Sequence, residues 1–184
     1  TPWGDCTPTQ QKCRNAPNGN TASQNNLEIS PEAMDKLVFY AQNLAVPARR
    51  DISESKVLAG KKLFYDTNCV SYHRPKFVTK RFPEQPEQSF QLIWPYTDLL
   101  LHDMGEGLAD NRPEGLASGS EWRTAPLWGI GLTETVNGHT QFLHDGRARN
   151  LLEAILWHGG EAELSKQNFL KFNPKERSEL LAFL

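Results

Sequence analysis

The sequence predicts a mainly α chain with an unusually large share of irregular loop. Four segments repeat apolar residues at helical spacing, and alternation of the strand kind is scarce. The long stretch 74–135 is rich in Pro, Gly and Trp and shows no period. So much coil in a compact domain points to chain wrapped around something, or to a functional loop.

The elements follow in order. Residues 1–29, full of Pro, Asn, Gln and Thr, read as a loop-rich extension, and residues 30–184 as one domain. Ser30-Pro31-Glu32 starts a helix, with a hydroxyl at the N-cap, proline at the first helical position and an acid in the first turn. Met34, Leu37, Val38, Ala41 and Leu44 make its apolar stripe, and Val46-Pro47 ends it. A second helix is expected from about Ser53 to Tyr65, capped by Ser53 or Ser55. Gly60 inside it costs about 1 kcal/mol against alanine, a useful cost if another helix crosses closely there. A short helix is expected around Thr97–Leu101, an amphipathic one from Leu151 to His158 stopped by Gly159-Gly160, and a last one from Asn173-Pro174 carrying Leu180, Leu181 and Leu184.

At 184 residues the chain can bury one good core. Its net charge of -2, with both signs mixed along the chain, offers nothing to nucleic acid or to a polybasic membrane contact. No apolar run approaches the roughly 18 residues of a membrane span, and no signal peptide opens the chain. The start at Thr1-Pro2-Trp3 and the end inside a helix at Leu184 suggest a mature fragment or a piece of a longer polypeptide.

The three cysteines divide two and one. Cys6 and Cys13 lie in a polar tail that lacks apolar residues to order itself, and their spacing permits a disulfide, hence an oxidising compartment; two free thiols are the alternative. Cys69 is left over, in "NCVSYHRPKF". A Cys-x-x-Cys-His run is the attachment signature of c-type haem, in which two thiols bond the vinyl groups and the histidine ligates iron. Cys69 and His73 occupy the places of the first thiol and the ligand, while Tyr72 stands where the second thiol belongs.

If haem is bound, the face opposite His73 needs a ligand or an open pocket. Leu151, Ile155 and His158 share one helical face, so His158 points where apolar side chains go. Alone it reads as a histidine bonding a carbonyl at the helix end; beside a haem motif it reads as the second ligand. Met104, in "LHDMGEG", is the alternative thioether ligand, or else a core filler, and His102 and Asp103 read as holding that loop by hydrogen bonds. Arg147, beyond a turn at Gly146, and Arg123 are candidates to pair haem propionates, or to form surface salt bridges.

Beyond single motifs, "LVFYAQNLAVPARRD", "GKKLFYDTNCVSYH", "WPYTDLLLHDMGEGLAD", "EWRTAPLWGIGLTETVNGHTQFLHDGRARNLLEAILWHGGEA" and "ERSELLAFL" together resemble the bacterial di-haem cytochrome c peroxidase superfamily, nearest to its di-haem thiol oxidoreductase-like proteins. The resemblance covers nearly the whole chain. It implies a cytochrome c-like helical domain whose long irregular loops wrap the haem, in a periplasmic protein of two such domains. This chain would be the C-terminal one, with a second haem domain preceding Thr1 and a small redox protein as donor or acceptor. The implied second ligand, from the helix after "HDG", falls on His158. Met104 sits third in a His-Asp-x-Gly phrase whose third residue varies. Tyr72 departs from the family's cysteine, leaving haem c held by one thioether through Cys69 and by the His73–iron bond.

Three functions compete on this reading: a haem electron-transfer domain of a peroxidase-like oxidoreductase, a binding or structural domain of the same fold that has lost its haem, and a small hydrolase using Cys69 with a histidine base. The last lacks any visible oxyanion element.

Overall fold

The computed structural model describes residues 6–16, 27 and 29–184. The chain divides into two compact units, Thr1–Ala45 and Val46–Leu184. In the first, helix α1 (Gln11–Arg14) interrupts what the sequence suggested was all loop, and Cys6 and Cys13 are joined by a disulfide with Cα atoms 5.9 Å apart. The rest of the extension, 1–5, 17–26 and 28, lies outside the described residues. Helix α2 (Pro31–Gln42) starts as its cap signals require, with the Ser30 hydroxyl accepting from the Ala33 amide at 3.2 Å. It ends earlier than Val46-Pro47, and its expected apolar stripe is exposed along its whole length.

The second unit carries the core. Helix α3 (Ser55–Asp66) begins one or two residues late, with Glu54 at the N-cap and no side-chain cap. It packs on α7 (Pro174–Phe183), whose start is fixed by a reciprocal capping box between Asn173 and Glu176. Gly60 makes that crossing possible, because a Cβ there would overlap the Glu179 carbonyl oxygen. Phe64, Tyr96 and Phe183 meet at centroid separations of 5.4–5.8 Å, and Val57 completes this aromatic cluster. Arg49 donates to the Phe183 carbonyl at 2.6 Å with its guanidinium 4.1 Å above the Phe183 ring.

The span 74–135 is coil and single 3-10 turns with two small antiparallel ribbons, β1 (Phe77–Val78) with β2 (Leu92–Ile93) and β3 (Leu101–Asp103) with β4 (Glu121–Arg123). The helix expected at Thr97–Leu101 is absent. Thr97 is buried, its hydroxyl donating to the Thr124 carbonyl at 2.7 Å, and Leu99 takes a positive φ of 61° that no α-helix accommodates. Both features lead the chain into β3 instead. Downstream, α4 (Thr133–Asn137), α5 (Leu151–Trp157) and α6 (Glu163–Leu170) complete the set. Among the described residues no helix is long and apolar enough to cross a membrane.

Candidate haem site

Helix α3 delivers the chain to Asn68, whose left-handed φ of 68° turns it sharply. The next residues fold into a single turn, with the His73 amide donating to the Cys69 carbonyl at 2.9 Å. Cys69 and His73 are thereby set one turn apart on the wall of a cavity of about 620 Å³. That volume is in the range of small-molecule and cofactor pockets. The walls come from far apart in the chain: Phe64 of α3, His102 of β3 and neighbouring Met104, Trp122 of β4, residues 141–144, one face of α5 through His158, and parts of α6 and α7. Most of the lining is aliphatic or aromatic.

Two imidazoles dominate its chemistry. His73 Nδ1 lies 3.0 Å from the Tyr96 carbonyl and His158 Nδ1 lies 2.7 Å from the Ala154 carbonyl. A carbonyl only accepts, so Nδ1 carries the proton in both rings and Nε2 holds the lone pair. Both rings line the cavity, and the Ala125 carbonyl is a second backbone acceptor at the His73 ring. Burial pushes the His73 pKa down to about 4, with the neighbouring His158 charge adding to the effect and the Tyr96 and Ala125 carbonyls opposing it. Burial likewise lowers that of His158. Both imidazoles are thus neutral at neutral pH, the state a metal requires. Their ring centroids are 6.5 Å apart, a spacing with room for one metal between two nitrogens at imidazole–metal bonds of about 2 Å.

The cavity was tested as a haem site on these features, and the residues fit. Two neutral imidazoles could both ligate a haem iron, and an apolar chamber suits a macrocycle. Each Nδ1–H is held by a carbonyl, the outer-shell contact that fixes ring orientation at metal sites. Cys69 borders the chamber beside His73. Its Sγ contacts the Thr67 hydroxyl at 3.2 Å rather than any histidine, and burial raises its pKa. A protonated thiol without a base is no hydrolytic nucleophile.

The remaining candidates separate by position. Met104 lines the same cavity, its amide donating to the Ser120 carbonyl at 2.9 Å. The segment bearing it lies against Gly159-Gly160, where Gly160 takes a φ of +54° and a Cβ would overlap the Asp103 carbonyl. Arg123 lines the cavity and has no carboxylate within ion-pair distance among the described residues. Arg147 is outside the lining; it pairs with Asp145 at 2.6 Å, donates to the Gly107 carbonyl and lies over Trp157. Tyr72 also lines the cavity, with its hydroxyl donating to the Glu161 carbonyl at 2.6 Å.

The partners of two histidines at the site escaped the sequence reading. His144 stacks on Trp122 at 3.5 Å and 10°, with the indole N–H donating to the Leu108 carbonyl. His102, expected to hold its loop, does so between two carboxylates: Nε2 is 2.8 Å from Asp98 and Nδ1 is 2.9 Å from Glu161. His144 was a candidate ligand in the "HDG" phrase, but nothing local pointed to its partner Trp122.

A family model described as "Di-haem oxidoreductase, putative peroxidase" matches residues 13–184. No curated protein and no solved structure is detectably similar to the chain.

Proposed function

Because the chain belongs to the di-haem oxidoreductase family, we propose that its Val46–Leu184 unit is a c-type haem domain that carries electrons within a peroxidase-like oxidoreductase. One observation carries the proposal: two neutral imidazoles, each with Nδ1 tied to a carbonyl, line one apolar cavity beside Cys69.

In this reading His73 and His158 would hold the iron through Nε2, and Cys69 would supply the single thioether, since the Tyr72 phenol can form none. When bound, haem supplies a one-electron iron couple. The Tyr96 and Ala154 carbonyls keep both rings in one tautomer and orientation and raise the basicity of the ligating nitrogens. Arg123, which lines the cavity, is the better placed of the two arginines to pair a propionate. Two histidine ligands would leave the iron no open position for peroxide, so the domain would serve electron transfer rather than peroxide chemistry. The second haem of a di-haem protein would sit in a further domain preceding this one, because only Cys69 among the cysteines is followed four residues later by histidine. A small redox protein would supply or accept the electrons. The Cys6–Cys13 disulfide supports a periplasmic setting, where such bonds persist.

The test is spectroscopic. Protein matured with haem should show a Soret band that survives acid–acetone extraction and a low-spin spectrum, and His158→Ala should convert it to high spin. A low-spin spectrum unchanged by His158→Ala but lost in Met104→Ala would move the ligand to Met104. A chain that takes up no haem would leave the fold as a scaffold without a cofactor.

A further inference from the structure

Tyr72 stands at the second-thiol position of the attachment motif, and the structure gives its side chain a defined partner. Its hydroxyl donates to the Glu161 carbonyl at 2.6 Å, across 89 residues of sequence. Glu161 lies three residues beyond His158. Its carboxylate accepts from the Asp103 amide at 3.1 Å and meets His102 Nδ1 at 2.9 Å. His102 Nε2 meets Asp98 at 2.8 Å, and the Asp98 amide donates back to the Tyr72 carbonyl at 3.0 Å. The circuit closes on the residue where it began. The Tyr72 ring also packs edge-on to His102 at 4.8 Å. Carboxylates only accept, so His102 sits between them with both nitrogens protonated.

We propose that Tyr72 is a positioning residue that replaces the second covalent anchor: through its hydroxyl and the Glu161–His102–Asp98 circuit it ties the Cys69–His73 turn to the segment carrying His158, and so sets the spacing of the two imidazoles. The inference rests on the haem reading above, and it explains why tyrosine serves here. A phenyl ring would keep the packing on His102 but leave the Glu161 carbonyl without its donor. A cysteine is too short to reach that carbonyl. One thioether leaves the haem free to tilt about a single sulfur; a chain-to-chain tether that fixes both ligands restrains the same motion from the protein side.

Tyr72→Phe in the full chain tests this through two readouts. In the haem-free protein, hydrogen exchange at the Asp103 and Ala162 amides, which bond to Glu161 and Gly159, should quicken roughly threefold to tenfold, the factor one hydrogen bond confers. In protein titrated with haemin, Tyr72→Phe should turn a low-spin spectrum into a mixture with high spin, and added imidazole should restore low spin. A merely structural tyrosine would lower stability without moving the spin state. Unchanged exchange in the haem-free variant overturns the tether. Quickened exchange with a wild-type spin state confirms a tether but overturns its role in ligand spacing. If wild type itself takes up no haemin, the haem reading and the spacing role fail together, while the exchange result still decides the tether.

Discussion

Lowering the pH should unfold the haem-free chain by way of its buried imidazoles. In the folded state the His73 pKa is pushed down to about 4 by burial, against 6.5 for an ordinary histidine. Above pH 6.5 the ring is neutral whether folded or unfolded, so His73 adds no pH dependence. Between 6.5 and 4 the unfolded chain binds a proton that the folded one refuses, and stability falls as pH falls. The gap amounts to about 2 kcal/mol at pH 5 and roughly 3 kcal/mol by pH 4, at 1.36 kcal/mol per pH unit. That is a sizeable part of a typical domain's total stability. Urea unfolding of wild type and His73→Asn, followed by circular dichroism from pH 7.5 to 4.5, isolates the effect. Asparagine can still donate to the Tyr96 carbonyl, and the carboxylates titrate alike in both proteins. The wild type should lose the extra stability and the variant should not. Parallel curves would mean that His73 protonates in place, and that its lone pair is not kept available at the cavity.

His102 should show the opposite sign. Burial works against its charge, but the hydrogen bonds it donates to Glu161 and Asp98 outweigh burial and raise its pKa. Its stabilising contribution is therefore complete below pH 6.5 and is lost as pH rises through the folded value; His102→Asn should flatten that alkaline decline in urea melts, and an unaltered decline would count against the charged pair. Gly60→Ala should destabilise by about 1–3 kcal/mol, because forcing α3 from the Glu179 carbonyl costs more than the roughly 1 kcal/mol of helix propensity gained; a stabilised variant would refute the close crossing. Thiol titration of the unfolded haem-free chain should find one free cysteine, Cys69, and three after reduction; three before reduction would remove the disulfide.

What could be read in advance was local. Helices α2 and α7 declare themselves through Ser30-Pro31 and Asn173-Pro174, where cap and first turn are adjacent in sequence. Helix α6 has no such signal: Ala162 stands at its N-cap without a side-chain acceptor. The helix expected at Thr97–Leu101 fails, and β3 behind it was missed, because its partner β4 lies some twenty residues on and the positive φ of Leu99 follows a buried Thr97 bonded to the Thr124 carbonyl. The same division runs through the site. Cys69 and His73 share one turn, and His158 follows from the face of α5; those were legible. The Trp122–His144 stack and the Tyr72–Glu161 bond join segments 22 and 89 residues apart, and no periodicity reports such pairs.

The physical cost of the cavity argues for its use. Burying two imidazoles costs desolvation, the largest cause of the lowered pKa of each ring. Apolar side chains of similar size would pack the same walls more favourably. Yet the chain holds each ring by Nδ1, backs His73 with Phe64 at 6.2 Å, and joins the His73 turn to the segment after His158 through Tyr72. Local structure that opposes stability while being held firmly in place is what the proposed haem site would require. Binding to the folded state alone offsets the cost by mass action. Haem loading should therefore raise the melting temperature of wild type more than that of His158→Ala, because only wild type offers two nitrogens to the iron; equal shifts in the two proteins would place the second ligand elsewhere.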